Sequence, residues 1–323
     1  MHKGVLTILV FVIQVLFVNG QSITKVNLQA ELICSGSITD ICVSGDEIFV
    51  GTENGFVDVV SIEDLKLLDK ISLPKIVDFM GDSINPGVYS VDSKNGEILI
   101  VSQGKSGFSN VLVFKGSKTK QLIDSKKRKI PVKKASFVDN NKILLATVGN
   151  ELILMDLNNS SIIYQVQISP YTFSDYVLSK DRTRVFTTDE SGIVHQLKVA
   201  DGQLISEFQG NNVDYIYQLD FKSDIILTGG KDRRTGVYNI VAGTSYYFQN
   251  DFLILCVALS PEGKYGAFMS SEKGSFTIFD ILTKEILIVS DDNEAPLSDL
   301  IFLDKDIVLS ANERAKLSLW KLK

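Results

Sequence analysis

The chain contains few side chains of the kinds that catalysis uses. Its two histidines are His2, in an N-terminal apolar segment, and His195. A Ser-His-Asp arrangement is compatible with these residue types, but no Gly-x-Ser-x-Gly turn is present to expose a serine nucleophile. We interpret His195 as a strand residue with a packing or surface role. The sequence therefore predicts that the protein is not an enzyme and has no catalytic residues and no cofactor.

The cysteines give little support for thiol chemistry. Cys34, Cys42 and Cys256 lie in apolar stretches, without Cys-x-x-Cys spacing and without a neighbouring histidine. Because metal binding and redox exchange both need thiolates within reach of each other, we expect buried free thiols and no metal site. A disulfide between Cys34 and Cys42 is the alternative, which an oxidising compartment would permit.

One glycine-containing run could suggest phosphate binding. Thr228-Gly229-Gly230-Lys231 lacks the P-loop spacing, however, and it precedes a strand-like run rather than a helix. We interpret it as a β-turn. The formal net charge of -6 also gives no positive field across the protein that would attract a nucleic-acid backbone or an anionic membrane. We therefore expect no nucleic-acid partner.

The N-terminus has the layout of a secretory signal peptide. Lys3 precedes an apolar run from Val5 to Val18, and a cleavage site follows before Gln21. An uncleaved membrane anchor is the alternative, although the run is shorter than the ~20 residues that a spanning helix needs. We predict a signal peptide in residues 1–20 and no stable membrane insertion after its removal.

Beyond residue 22 the chain repeats with a period of about 40 residues. Two markers recur in step, and each unit opens with an apolar-x-x-apolar pattern. Hydroxyl residues end one β-rich run in each unit, at Thr52, Ser102, Thr147, Thr188, Thr228, Ser270 and Ser310. Apolar residues end the next run, at Val60, Phe114, Met155, Leu197, Tyr238, Phe279 and Trp320. Helical periodicity is absent, so seven units of four short strands predict an all-β, seven-bladed β-propeller with antiparallel blades.

The last unit stops after its third strand, so its fourth strand must come from elsewhere. Residues 25–35 form a strand-like run before the first unit, and pairing with Leu317–Leu322 would close the ring and cover two exposed edges. We expect a monomer with a single domain in residues 21–323. Its blades are predicted at approximately residues 36–73, 74–125, 130–168, 170–210, 213–250, 252–290 and 295–323.

The clearest unit, from Ile254 to Val289, resembles a WD40 repeat. Its segment VALSPEGKYGAF matches the first hairpin of that family, and Phe279-Asp280 and Trp320-Lys321 stand where the family has Trp-Asp. The chain departs from the family because it has no Gly-His dipeptide and keeps tryptophan in only one unit. The resemblance implies a divergent WD40-like propeller in which the family's histidine-centred hydrogen-bond network cannot form.

In a WD40-like propeller two sets of loops gather on one face, here called the top face. One set joins consecutive blades, and the other joins the second and third strands of a blade. Charged candidates for protein binding on this face are Lys126, Lys127, Arg128, Lys129, Lys133 and Lys134 before the third unit and Lys231, Arg233 and Arg234 in the fifth. Asp291, Asp292 and Glu294 oppose them before the last unit. Such a polarised face suits a charged protein partner, and solvated loops are the alternative interpretation.

One position in each opening pattern is expected to line the channel entrance on the same face. The residues at this position are Asp40, Val88, Lys134, Asp175, Gln218, Cys256 and Asp299. We take the polar members Asp40, Asp175, Gln218 and Asp299, together with Lys134, as further candidates for protein binding. Binding of structural water is the alternative.

The leader, the divergent ring and stretches such as IILTGGKDRRTGVYNI together resemble the NapL family, the accessory proteins of periplasmic nitrate reductase systems. The resemblance implies a non-catalytic interaction platform in the periplasm, with the reductase or its maturation factors as partner. Two alternatives stay open. One is a general exported scaffold, such as an outer-membrane assembly propeller. The other is a lactonase-like or quinone-dependent propeller enzyme, although quinoprotein propellers carry a tryptophan in most blades and Trp320 is alone here.

Overall fold

Seven four-stranded antiparallel sheets surround a central axis in the computed structural model, which describes residues 25–323. The innermost strands of neighbouring blades contact one another around a closed ring. The protein is therefore an all-β, seven-bladed propeller, as the sequence predicts. The predicted signal peptide lies outside the described residues. Among residues 25–323, no helix combines the length and apolar character that crossing a membrane requires.

Each of blades 1 to 6 uses four consecutive strands, ordered from the axis outwards. The closing strand is β1 (Val26–Ile33), and blade 1 follows with β2 (Ile38–Ser44), β3 (Glu47–Thr52), β4 (Phe56–Ser61) and β5 (Leu67–Ser72). After a short hairpin of β6 (Ile76–Val77) and β7 (Ser83–Ile84), blade 2 contains β8 (Val88–Lys94), β9 (Glu97–Gln103), β10 (Ser109–Lys115) and β11 (Lys118–Ile123). Blade 3 contains β12 (Val132–Phe137), β13 (Lys142–Thr147), β14 (Glu151–Asp156) and β15 (Ile162–Gln167).

The second half of the ring repeats this arrangement. Blade 4 contains β16 (Phe173–Leu178), β17 (Arg184–Asp189), β18 (Val194–Lys198) and β19 (Leu204–Phe208). Blade 5 contains β20 (Ile216–Lys222), β21 (Ile225–Gly230), β22 (Arg234–Asn239) and β23 (Thr244–Gln249). Blade 6 contains β24 (Val257–Leu259), β25 (Tyr265–Met269), β26 (Phe276–Asp280) and β27 (Ile286–Val289), and blade 7 contains β28 (Leu297–Asp304), β29 (Ile307–Asn312) and β30 (Lys316–Leu322).

The N-terminal strand closes the ring. β1 pairs antiparallel with β30, from Val26 opposite Leu322 to Ile33 opposite Lys316. Next to this pairing, the backbones of Lys25 and Lys323 exchange two hydrogen bonds of 3.1 and 2.8 Å. Without β1, the strand β30 would be an unpaired sheet edge. The predicted closure by an N-terminal strand is therefore confirmed.

The middle strands of the blades form the core because each blade packs between two neighbours. Their sequences are nearly continuous in buried apolar residues, as in Ile143–Ala146 of β13. The single tryptophan joins two blades: Trp320 Nε1 donates a 2.8 Å hydrogen bond to Ser310 Oγ in blade 7, and its ring meets Phe276 of blade 6 edge-on at 5.7 Å. Such edge-to-face contacts add to the stabilisation from apolar burial.

An asparagine supplies a loop-tying network that histidine supplies in the WD40 family. In the loop before blade 5, Asn212 Oδ1 accepts a 2.6 Å hydrogen bond from Thr228 Oγ1, and Asn212 Nδ2 donates to Asp232 at 3.1 Å. Asp232 also accepts a 2.9 Å bond from the backbone N–H of Val213. An amide side chain serves here because, like a neutral imidazole, it offers both a donor and an acceptor. In this loop Asn212 therefore makes hydrogen bonds that compensate for the missing Gly-His dipeptide.

The hairpin of β6 and β7 is the largest departure from the repeat. It lies in the loop between blades 1 and 2, and we call its residues, 76–84, the finger. The sequence prediction began blade 2 at residue 74, whereas the first strand of that blade begins at Val88. Other loops between blades contain no strand of their own within the described residues.

Candidate binding face

The polar residues predicted at the channel entrance occupy equivalent places in their blades. Asp40, Lys134, Asp175, Gln218 and Asp299 each lie near the start of an innermost strand, directly after a shift in strand register. A bulge of this kind redirects the side chains around it. In blade 2 the shift precedes Ser90, so Ser90 takes the place that the sequence prediction gave to Val88.

Side chains at this level bind the backbone of the next blade. Asp40 Oδ2 accepts a 2.7 Å hydrogen bond from the N–H of Val91 in blade 2. Asp175 Oδ2 in blade 4 accepts one of 3.2 Å from the N–H of Leu219 in blade 5. In the same way Gln218 Oε1 accepts one of 2.8 Å from blade 6. These side chains therefore link neighbouring blades at the channel wall.

Two further contacts join these side chains to each other. Lys134 Nζ lies 2.6 Å from Asp175 Oδ1, which connects blades 3 and 4. Gln218 Nε2 donates to Asp299 Oδ1 at 3.0 Å. Since Gln218 belongs to blade 5 and Asp299 to blade 7, this bond reaches past blade 6. We call Asp40, Lys134, Asp175, Gln218 and Asp299 the channel network.

Burial alters the protonation of the channel network. Burial raises the pKa of Asp299 to about 7, and the nearby carboxylate of Asp40 adds to this effect. Burial likewise raises the pKa of Asp40 above its ordinary value. For Lys134, burial disfavours the charged form, but the carboxylates of Asp175 and Asp40 outweigh it and raise the pKa. The network therefore holds a cation at Lys134 and a carboxyl group at Asp299 that titrates near neutral pH.

The basic run before blade 3 divides into two parts with different surroundings. Lys134 belongs to the channel network, and Lys133 lies over the ring of Tyr89, 5.4 Å from its centre. Lys126, Lys127 and Lys129 are exposed, and their ammonium groups have no acidic partner among the described residues. Arg128 donates to the backbone carbonyl of Ser160 at 2.7 Å. We call residues 126–129 the basic loop.

The second predicted basic cluster is largely neutralised by its own blade. Lys231 lies 3.6 Å from Asp214, and Arg234 lies 4.0 Å from Asp232 and stacks over Tyr247. Within this cluster Arg233 alone is exposed without an ion pair in the described part of the chain.

The acidic loop before blade 7 is also partly compensated. Lys273 lies 3.7 Å from Asp292, and Lys316 lies 3.8 Å from Glu294. Most of the predicted top-face charges that have no ion pair therefore belong to the basic loop, and the predicted clusters are less evenly polarised than the sequence suggests.

Exposed apolar side chains also lie on the top face. Val148, between β13 and β14, and Tyr171, before blade 4, are about half exposed, and the N–H of Val148 donates to the carbonyl of Pro131, which follows the basic loop in the chain. In the finger, Phe79 is 95% and Met80 is 72% exposed. Aromatic residues and methionine of this kind are enriched at protein interfaces.

A cleft of about 490 Å³ separates the finger from blade 2. One wall is the chain from Leu73 to Asp78, and the other is formed by the loops that hold Lys105 and Asp124–Lys126. Sequence reasoning missed this site. A signal was present, because Thr52 and Ser102 stand about 50 positions apart whereas later markers are closer to 40, so the extra residues had to form something outside the blade.

His195 lies in β18, buried between two carboxylates, so it is a strand residue, as predicted. Its Nδ1 is 3.0 Å from Glu207 Oε1, and its Nε2 is 3.5 Å from Asp189 Oδ2. Ser169 and Ser191 both donate to Asp189 rather than to His195. Burial would raise the pKa of Asp189, but the adjacent His195 imidazole and the hydrogen bonds from these serines hold it well below its usual range. Neither serine is placed to pass its proton to the imidazole.

The three cysteines are free thiols, and Cys34 and Cys42 do not form the alternative disulfide. Burial raises the pKa of Cys34 to about 12 and also raises the pKa of Cys256. Cys42 Sγ lies 3.4 Å from Asp92 Oδ1, as a donor to that carboxylate. Such thiols react slowly because the thiolate is the nucleophile. Across residues 25–323, no group of three or more His, Cys, Asp or Glu side chains is arranged to hold a metal ion.

Comparison of the chain with protein-family models and with curated proteins gives no match.

Proposed function

We propose that this propeller is a non-catalytic platform that binds an acidic protein through its top face. The observation that carries the proposal is the basic loop, where Lys126, Lys127 and Lys129 keep exposed charges without ion pairs, beside exposed apolar side chains. Most other charged candidates on this face already have partners within the chain. Charges that no intramolecular contact uses favour encounter with an oppositely charged partner.

The resemblance to the NapL family gives the proposal its specific form. We propose an exported protein that works in the periplasm and supports the maturation or activity of a periplasmic nitrate reductase. The reductase or one of its maturation factors would then be the protein that contacts the basic loop. A general exported scaffold, such as an outer-membrane assembly propeller, would use the same face for a different partner.

Affinity capture from a periplasmic extract of the source cells tests this proposal. The bait is the purified propeller, and a second bait carries Lys126→Gln, Lys127→Gln and Lys129→Gln. A matched control bait carries Lys118→Gln, Lys180→Gln and Lys305→Gln, three exposed lysines without ion pairs in the described residues, at the opposite ends of the strands.

We expect the unmodified and control baits to recover the nitrate reductase or a maturation factor, and the basic-loop variant to recover far less. Recovery of outer-membrane assembly proteins alone would contradict the nitrate reductase role and favour the scaffold. Equal recovery by all three baits would show that the basic loop is not part of the binding surface.

A further inference from the structure

The finger presents large apolar side chains to solvent in an ordered turn. Phe79 is 95% exposed, Met80 is 72% exposed and Val77 is 61% exposed. Burying one such side chain contributes about 1.5–3 kcal/mol, so three neighbouring ones left in water are an unused source of binding energy. Single exposed apolar residues are ordinary on a protein surface, but a contiguous group at the tip of a loop marks an interaction site.

Asp78 fixes the shape of this tip. Its Oδ1 accepts hydrogen bonds from the backbone N–H groups of Met80 and Asp82, both at 2.9 Å. Its own N–H donates to the carbonyl of Asp82 at 3.0 Å, and Gly81 takes a φ of +96°, which other residues rarely adopt. The tip is therefore pre-organised, which lowers the entropy cost of binding.

Positive charge lines the base of the finger. Lys75 and Lys126 line the cleft beside it together with Lys105, and all three are exposed without ion pairs in the described residues. Asp78 and Asp124 line the same cleft, so the three lysines leave it with a net charge of about +1, whereas the whole chain has a net charge of -6. An occupant that matches it must carry carboxylates next to an apolar surface.

We propose that the finger is the primary docking element of the top face. Phe79 and Met80 enter an apolar pocket of an acidic protein partner, while carboxylates of that partner lie along the cleft near Lys75, Lys105 and Lys126. A protein suits the site better than an anionic membrane because a protein pocket can cover Phe79 and Met80 while it leaves Asp78 and Asp82 in water. Insertion into a bilayer would bring both carboxylates against anionic headgroups and remove their water. This inference rests on the proposed binding function of the top face.

Photo-crosslinking in the source cells tests the inference. A benzophenone amino acid replaces Phe79 in the full-length protein of one strain, and in a control strain it replaces Leu282, which is 88% exposed in blade 6. We expect a discrete protein adduct from position 79 and not from position 282. Mass spectrometry of the adduct should place the crosslink in a segment with several Asp or Glu residues. An adduct with phospholipid, or with a protein segment that lacks acidic residues, overturns the inference.

Affinity measured with the crosslinked partner, once purified, gives the second readout. We expect Phe79→Ser with Met80→Ser to weaken the Kd at least ten-fold, as truncation of an interface anchor does, and Leu282→Ser to leave it unchanged. Thermal stability should be unaffected because both side chains are exposed. If the finger variant binds normally while the Gln variant of the basic loop does not, the inference fails and the proposed function stands. If neither position 79 nor the unmodified bait yields a partner, both fail.

Discussion

Lys134 in the channel and Lys126, Lys127 and Lys129 on the rim lie within nine residues of one another, yet their surroundings differ completely. Lys134 is paired with Asp175 at 2.6 Å, and only 29% of its side chain is exposed. The rim lysines are exposed and have no ion pair in the described chain. The same residue type thus joins blades in one place and remains free to meet a partner in the other.

The difference arises from the backbone rather than from composition. Lys134 follows a register shift in β12, which directs its side chain into the channel network. The rim lysines precede β12, in a loop that runs over the surface, where charged side chains stay hydrated. We therefore expect substitutions in the channel network to change stability and substitutions on the rim to change binding.

The largest effect should come from the closing strand, which supports both regions. Deletion of residues 22–35 removes β1 and leaves β30 as an unpaired edge, so we expect loss of cooperative folding or a fall of at least 5 kcal/mol in the free energy of unfolding. Circular dichroism during thermal and urea unfolding measures this loss of stability. An unchanged melting curve would contradict the role of β1 in closing the ring.

Removal of the buried cation should give the next largest effect. Lys134→Met leaves Asp175 without its counter-charge beside Asp40, and we expect a loss of about 3–5 kcal/mol in the free energy of unfolding. Lys133→Met, one residue earlier and exposed, is the matched control and should change it by less than about 0.5 kcal/mol. Similar urea midpoints for the two variants would remove the distinction between channel and rim.

The titration of Asp299 predicts a pH-dependent effect of similar size. Its pKa is about 7 in the folded protein and about 3.9 in an unfolded chain, so folding takes up a proton between these values. The stabilisation of the folded state by protonated Asp299 is fully present below about pH 4 and is lost as the pH rises through 7. Asp299→Asn cannot ionise but can still accept the hydrogen bond of Gln218. We expect it to be more stable than the unmodified protein at pH 8 by about 4 kcal/mol, with a flatter profile between pH 4 and 7.

Unfolding in urea across pH 4–8 provides the measurement for Asp299→Asn. Asp291→Asn, in an exposed loop, removes the same charge without burial and should leave the slope unchanged. If both variants keep the slope of the unmodified protein, Asp299 ionises normally and the channel network is less buried than its contacts indicate.

The smallest effect on stability should come from the rim. Substitution of Lys126, Lys127 and Lys129 by Gln is expected to change the free energy of unfolding by less than about 0.5 kcal/mol, since these side chains have no acidic partner to lose. A fall of more than about 1 kcal/mol in urea unfolding would mean that the basic loop, like Lys134, helps to hold the ring.

The blades and their closure could be predicted from the sequence because each depends on a local pattern. Apolar and polar residues that alternate between turn residues define the strands. Because blade 7 lacks a fourth strand of its own, β30 needed a partner from elsewhere in the chain. The channel position was also predictable, since it recurs at a fixed place in each unit. In blade 2 the same rule selected Val88 instead of Ser90, although Val88 and Val91 have the apolar-x-x-apolar spacing that places Ser90 at this position.

The binding face was harder to predict because it depends on pairing across the fold. From the sequence, Lys231 and Arg234 are as strong candidates for binding as the rim lysines. The sequence does not reveal that Asp214 and Asp232 come close enough to neutralise them. It likewise contains Phe79 and Met80 as two apolar residues among many. Phe79 and Met80 are exposed because the tip of the finger does not pack against a blade.

The pairing of β1 with β30 also has a consequence for synthesis. Glu31 and Ser318, which meet in this sheet, are 287 positions apart in the chain. At 5–20 residues per second a ribosome needs roughly 15–60 s to make that length, and β1 lacks its partner throughout. Protein folding that depends on so distant a contact is slow. A cell that makes this protein must therefore keep a strand rich in apolar residues out of wrong pairings until the last strand of blade 7 emerges.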